Sequence, residues 1–263
     1  MTTRLLGLLF AFLLLAAPAA DARLSVTNLS GFGGGGSSVG TPPDEITGAN
    51  LVVWYRADQG ITGDPVSQWN DLSGNGRNLT QATSGSRPDY VASGSPFSGQ
   101  PYISCDGTDD RIGTAAAFTS ETQPYHVFMV AHIVTYGADD YLAHINDDAG
   151  GGIARILMTT SSAQIYQGAA TATNAVDPET GNDFLLNSFF SGASSYQKLN
   201  NDSAVSGGNP GTAAMDKITL CSIDSGANYA AIYIAEFFAF DAEVTGDELT
   251  NLESYINARY SLW

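Results

Sequence analysis

From Ile46 onward the sequence is cut into short β-rich runs by clusters of Gly, Asn, Asp, Ser and Pro, and this punctuation constrains the fold more than any other feature. The runs are residues 51–55, 102–105, 126–134, 141–145, 154–159, 164–166, 184–191, 194–199, 217–223 and 229–240. Ten strands at this spacing predict an all-β sandwich of two packed antiparallel sheets. Turn chemistry agrees, with Ser73-Gly74-Asn75-Gly76, Asp106-Gly107, Asn200-Asn201-Asp202 and Ser206-Gly207-Gly208-Asn209-Pro210 at run boundaries. One segment departs from the pattern. Leu249, Leu252, Tyr255, Ile256 and Tyr260 recur at helical spacing behind Thr245-x-x-Glu248, a capping box, with Asp247 and Glu248 in the first turn and Arg259 in the last. The chain is therefore expected to end in one amphipathic helix laid on the sandwich.

The residues ahead of the runs read differently. Met1 to Arg4 is short and positive, Leu5 to Ala17 is 13 consecutive apolar or Gly residues, and Ala20-Asp21-Ala22 supplies small residues at the two positions a signal peptidase reads. The run stops at Pro18, short of the roughly 20 apolar residues that cross a bilayer. Residues 1–22 are thus expected to be a secretory signal, leaving no stable membrane span after cleavage behind Ala22. Residues 23–45, with Gly33-Gly34-Gly35-Gly36-Ser37-Ser38 and Pro42-Pro43, read as a linker, and 46–263 as one folded domain. Charge excludes one class of partner. With 10 Lys and Arg against 27 Asp and Glu, a net charge of −17 leaves nothing to displace the counterions of a phosphate backbone, so nucleic acid is ruled out.

Three separated blocks carry a resemblance. The first is Leu51-Val52-Val53-Trp54-Tyr55-Arg56-Ala57-Asp58 followed by Val66-Ser67-Gln68-Trp69-Asn70-Asp71-Leu72-Ser73-Gly74-Asn75-Gly76. The second is Gly99-Gln100-Pro101-Tyr102-Ile103-Ser104-Cys105-Asp106-Gly107. The third runs from Ile234-Ala235-Glu236-Phe237-Phe238 through Asp247-Glu248-Leu249 to Tyr255-Ile256-Asn257-Ala258-Arg259-Tyr260. In this order they resemble the concanavalin A-like, laminin-G-like jelly-roll domains of exported bacterial proteins and phage structural proteins, over nearly all of residues 48–263. The resemblance implies a jelly-roll sandwich and no particular activity, since lectins, glycanases, lyases and adhesive modules share it. Cys105 stands where such domains place a large apolar residue, and Arg259-Tyr260-Ser261 where Lys-Tyr-Gly is commoner.

Retaining glucanases of this fold draw their carboxylates from one strand reading Glu-x-Asp-x-x-Glu. The seven Glu, at 45, 121, 179, 236, 243, 248 and 253, nowhere match it. Glu236, inside a strong strand, reads as a structural carboxylate paired with an Arg such as Arg111 or Arg155. His126, His132 and His144 read as ordinary strand residues, because the Gln-Ile-His motif of the family's lyases is missing and a −17 surface repels a polyanion. No catalytic residue is expected. Asp106, Asp109 and Asp110 on one Gly-containing turn, and Asp147-Asp148-Ala149-Gly150-Gly151 on another, offer hard oxygens to a structural Ca²⁺ or close Asx turns. No other cofactor is expected, and the scattered Cys and His give no zinc set. Cys105 and Cys221 form either a disulfide or two buried thiols. For ligand stacking the candidates are Tyr136, Tyr141, Tyr166 and Tyr196, while Trp54 and Trp69 read as core.

The expectation is an exported, non-catalytic recognition or adhesion module that binds a glycan, or a protein of a cell surface or virion. Two other readings stay open: a phage virion surface or tail component, and a divergent glycan-degrading enzyme.

Overall fold

A computed structural model describes residues 40–137, 139–146, 154–158, 165–168 and 172–263. Its strands are β1 (Leu51–Arg56), β2 (Ile61–Thr62), β3 (Gln68–Trp69), β4 (Leu79–Thr80), β5 (Asp89–Val91), β6 (Tyr102–Asp106), β7 (Ile112–Thr114), β8 (Tyr125–Ile133), β9 (Tyr141–His144), β10 (Arg155–Met158), β11 (Ile165–Gly168), β12 (Ala172–Val176), β13 (Asp183–Phe190), β14 (Tyr196–Leu199), β15 (Val205–Ser206), β16 (Thr219–Leu220) and β17 (Ala231–Phe240), followed by helix α1 (Gly246–Tyr260). The first sheet has the order β15-β14-β13-β8-β17-β6-β5, with β1 also against β17. The second has the order β12-β11-β10-β9-β16-β7-β4-β3-β2. The expected all-β sandwich of two antiparallel sheets with one C-terminal helix is what forms.

Strands β8 and β17 show why the first sheet holds its place. Val127, Met129, Ala131 and Ile133 of β8 turn into the core between the sheets, whereas Phe128 and Val130 turn outward beneath α1. Both faces are covered, so the strand reads as an apolar run rather than an alternation. Leu252, Tyr255, Ile256 and Tyr260 of α1 close that second core. Burying Leu252 and Ile256 contributes about 1.5 to 3 kcal/mol each. The two sheets are also joined covalently: Cys105 in β6 and Cys221, the residue after β16, form a disulfide with Cα atoms 6.3 Å apart.

The expected capping box is absent. Thr245 makes no side-chain cap, and Glu248 instead accepts from the Thr47 amide at 2.9 Å, the Thr47 hydroxyl at 2.6 Å and the Gly48 amide at 3.0 Å. The segment leading into β1 lies over the start of the helix and offers that carboxylate more donors than the box does. The expected strand over 217–223 contracts to Thr219–Leu220, because Cys221 adopts φ +70° and turns the chain out of the sheet.

Candidate functional site

The solvent face of the second sheet is built by simple alternation. Trp69, Leu79, Ile112, Leu220, Ala143 and Ile156 point into the core, so their neighbours point away from it. Cross-strand pairing sets those neighbours in one row: Gln68 opposite Thr80, Thr80 opposite Gly113, then Thr219, His144 and Arg155. The row crosses six strands. Along it lies a cleft of about 600 Å³ lined by Gln68, Asn75, Arg77, Asn78, Thr80 and Phe118 among others. A second hollow of about 180 Å³, lined by Arg111, Gly113, Lys217, Thr219 and Asp224, shares Thr80, Thr114 and Ala115 with it, so the two form one groove.

Asp224 is the carboxylate lining that groove among the described residues. Lys217 Nζ pairs with its Oδ2 at 2.8 Å, and the Thr219 hydroxyl donates to Oδ1 at 3.4 Å. The Asp224 carbonyl accepts from Arg111 Nη1 at 2.6 Å, and its amide donates to His144 Nδ1 at 3.1 Å. With Nδ1 accepting, a neutral His144 ring keeps its proton on Nε2. At the other end Arg77 lies 4.1 Å above the Phe118 ring and pairs with the Glu121 carboxylate at 3.1 Å.

Two of the four tyrosines predicted for stacking reach this face. Tyr141 and Tyr166 flank Leu157 across β9, β10 and β11, and Arg155 lies 5.0 Å over the Tyr141 ring while donating to its hydroxyl. Tyr136 is exposed on the chain after β8, and Tyr196 lies in the first sheet with its hydroxyl on Glu243 at 3.2 Å, so neither joins the groove. Sequence reasoning did not single out Lys217, Thr219 and Asp224 as a cluster. Their only signal is that the chain's two Lys include Lys217, seven residues before Asp224.

The remaining candidates fall elsewhere. Glu236 is fully buried beneath α1, accepting from Trp54 Nε1 at 2.6 Å and the Tyr260 hydroxyl at 2.8 Å. It pairs with neither Arg111 nor Arg155, because those two side chains belong to the second sheet and its solvent face. Burial pushes its carboxyl up to about 7 against the pull of those two hydrogen bonds. His126 is buried between Asn187, at 2.5 Å, and the Val244 amide, and burial holds its ring down to about 3. His132 pairs with Asp183 directly opposite on β13. Asp106, Asp109 and Asp110 do come together, with one carboxylate oxygen of each within 4.8 Å of the others. Asp106 accepts from the Thr108 and Asp109 amides and Asp110 from the Asp106 amide, which is an Asx-type turn. The Asp147–Asp148 loop lies outside the described residues.

No family model matches the chain, and no curated protein matches it. Solved structures do. A sialidase of Trypanosoma rangeli in complex with sialic acid aligns with TM-score 0.56 at 12% identity over 80% of this chain and 33% of that one. A GH54 α-L-arabinofuranosidase aligns with TM-score 0.59 at 13% identity over 74% of this chain and 51% of that one. An arabinofuranosidase complexed with arabinofuranosyl-α-1,2-xylobiose gives TM-score 0.58 at 14% identity over 82% and 60%. The chain spans about a third of the sialidase and half to three fifths of the arabinofuranosidases. The protein is thus a two-sheet β-sandwich of a kind found in carbohydrate-acting enzymes. These neighbours overturn the expectation of a non-catalytic recognition module. That expectation rested on missing contiguous motifs, the Glu-x-Asp-x-x-Glu strand and the Gln-Ile-His strand, and a carboxylate brought to the groove by a turn between strands, as Asp224 is here, escapes such a search. None of the described helices is long and apolar enough to cross a membrane.

Proposed function

We propose that this chain is an exported, concanavalin A-like glycan-degrading enzyme whose substrate lies in the groove across the second sheet. The observation that carries the reading is Asp224, a groove carboxylate gripped by Lys217 and Thr219 and backed by His144. Glycoside cleavage passes through a cationic, oxocarbenium-like sugar, which a fixed carboxylate stabilises, while a second carboxyl group transfers the proton. We assign the second group to Glu121, which pairs with Arg77 of the cleft lining. Polar side chains along the groove, Gln68, Asn78, Thr80 and Thr219, supply partners for sugar hydroxyls. The neighbouring glycosidase structures support the same reading.

The test is reducing-end release from a panel of neutral and acidic polysaccharides. Asp224→Asn, checked for folding by its thermal transition, is expected to lose about 10²- to 10⁴-fold in rate. A native protein that releases nothing, or a folded Asp224→Asn that keeps native rate, overturns the proposal.

A further inference from the structure

The groove gathers positive charge on a chain that is acidic overall. Of the ten Lys and Arg in the sequence, Arg77, Arg111, Arg155 and Lys217 lie on this one face of a chain with net charge −17. In the smaller hollow Arg111 and Lys217 converge on Asp224, one through its carbonyl and the other through its carboxylate. Two cations and one carboxylate leave a surplus of one positive charge. Among the described residues Arg111 has no carboxylate partner, and one of its five donors is spent on the Asp224 carbonyl. The position is prepared for it. A Cβ on Gly226, which adopts φ +76°, would stand 2.8 Å from Arg111 Nη1, so glycine there clears the space the guanidinium fills.

Resting on the reading of the groove as a glycan site, we infer that the hollow between Arg111 and Lys217 takes a single anionic group on one sugar ring, a uronate carboxylate or a sulfate ester, while the larger cleft takes neutral sugars. One surplus charge matches one oxyanion, which a guanidinium binds through paired N–H donors. A run of charged sugars is excluded by the field of the whole molecule, whose net charge is −17. The substrate class is therefore a mainly neutral glycan bearing isolated acidic residues.

The experiment is a titration followed by NMR with methyl β-D-glucuronide, glucose 6-sulfate, methyl β-D-glucoside and sodium acetate. Either anionic sugar is expected to bind at least about tenfold more tightly than the neutral glycoside, and to weaken as salt rises. Arg111→Gln and Lys217→Gln are each expected to weaken the anionic sugars about 10- to 100-fold more than they weaken the glucoside. Equal binding of the glucoside, acetate binding as tightly as the sugars, or native-like binding of the anionic sugars by a folded Arg111→Gln overturns the inference. The salt dependence of the native protein tests it even where a variant does not fold. Anionic sugars bound without any polysaccharide cleavage defeat the enzymatic proposal and leave this one standing; cleavage that is indifferent to acidic residues does the reverse.

Discussion

At the scale of single residues, two buried titratable groups oppose each other. Glu236 takes up its proton near 7 in the folded protein and near 4.5 when unfolded, so the stabilisation from keeping it protonated is full below pH 4.5 and is lost as pH rises through 7. The loss amounts to about 3 kcal/mol. His126 works in the other direction. Its folded value near 3 lies below the ordinary 6.5, so stability is full above pH 6.5 and falls as pH drops toward 3. Between pH 4.5 and 6.5 the two slopes cancel. Glu236→Gln keeps an acceptor for Trp54 Nε1 and gives Tyr260 a donor while removing the titration. The variant is expected to match the native protein at pH 4.5, to exceed it at pH 8 by about 2 to 3 kcal/mol, and to lose the plateau between pH 4.5 and 6.5. Urea unfolding at four pH values measures this. A difference between the two proteins that stays constant with pH shows that Glu236 takes up its proton at the same pH folded and unfolded.

Among elements, the disulfide ties β6 of one sheet to the end of β16 in the other across 116 residues of chain. Closing so long a loop contributes about 4 to 5 kcal/mol in the chain-entropy model. Replacing both Cys105 and Cys221 by Ala is expected to lower unfolding free energy by no more than that figure, read from urea unfolding with the m-value fitted for each protein, since the uncrosslinked chain exposes more surface when unfolded. A loss below about 1 kcal/mol would show that the reduced chain already holds the two sheets together. The elements were unevenly legible in the sequence. The runs at β8, β13 and β17 are eight to ten residues long, mostly apolar and buried on both faces, so composition marks them. Strands β2, β3 and β4 have two residues each, too few to show any period, and exist because Trp69 and Leu79 fill the core from the sheet edge. The face that carries the groove was legible only in part. Tyr141 and Tyr166 declare themselves as aromatics in β runs, whereas Asp224 and Lys217 acquire meaning from pairings among strands far apart in sequence.

For the molecule as a whole, the proposal of export rests on its N-terminal residues. An apolar run of 13 residues ahead of Ala20-Asp21-Ala22 predicts that exported protein begins at Arg23, which intact-mass spectrometry of secreted material checks. A mass that includes residues 1–22 removes export from the proposed function. The bridge between Cys105 and Cys221 also bears on how the finished molecule survives damage. A protease that cuts the backbone anywhere between these two residues opens a ring rather than severing a thread, so both products stay one covalent object. The strands on either side of a single cut remain paired with the neighbours they already have, including β17 with β8 and β16 with β9, on opposite walls of the sandwich. A nicked molecule would therefore run as one band without reductant and as two with it, its groove still assembled by strands on both sides of the break.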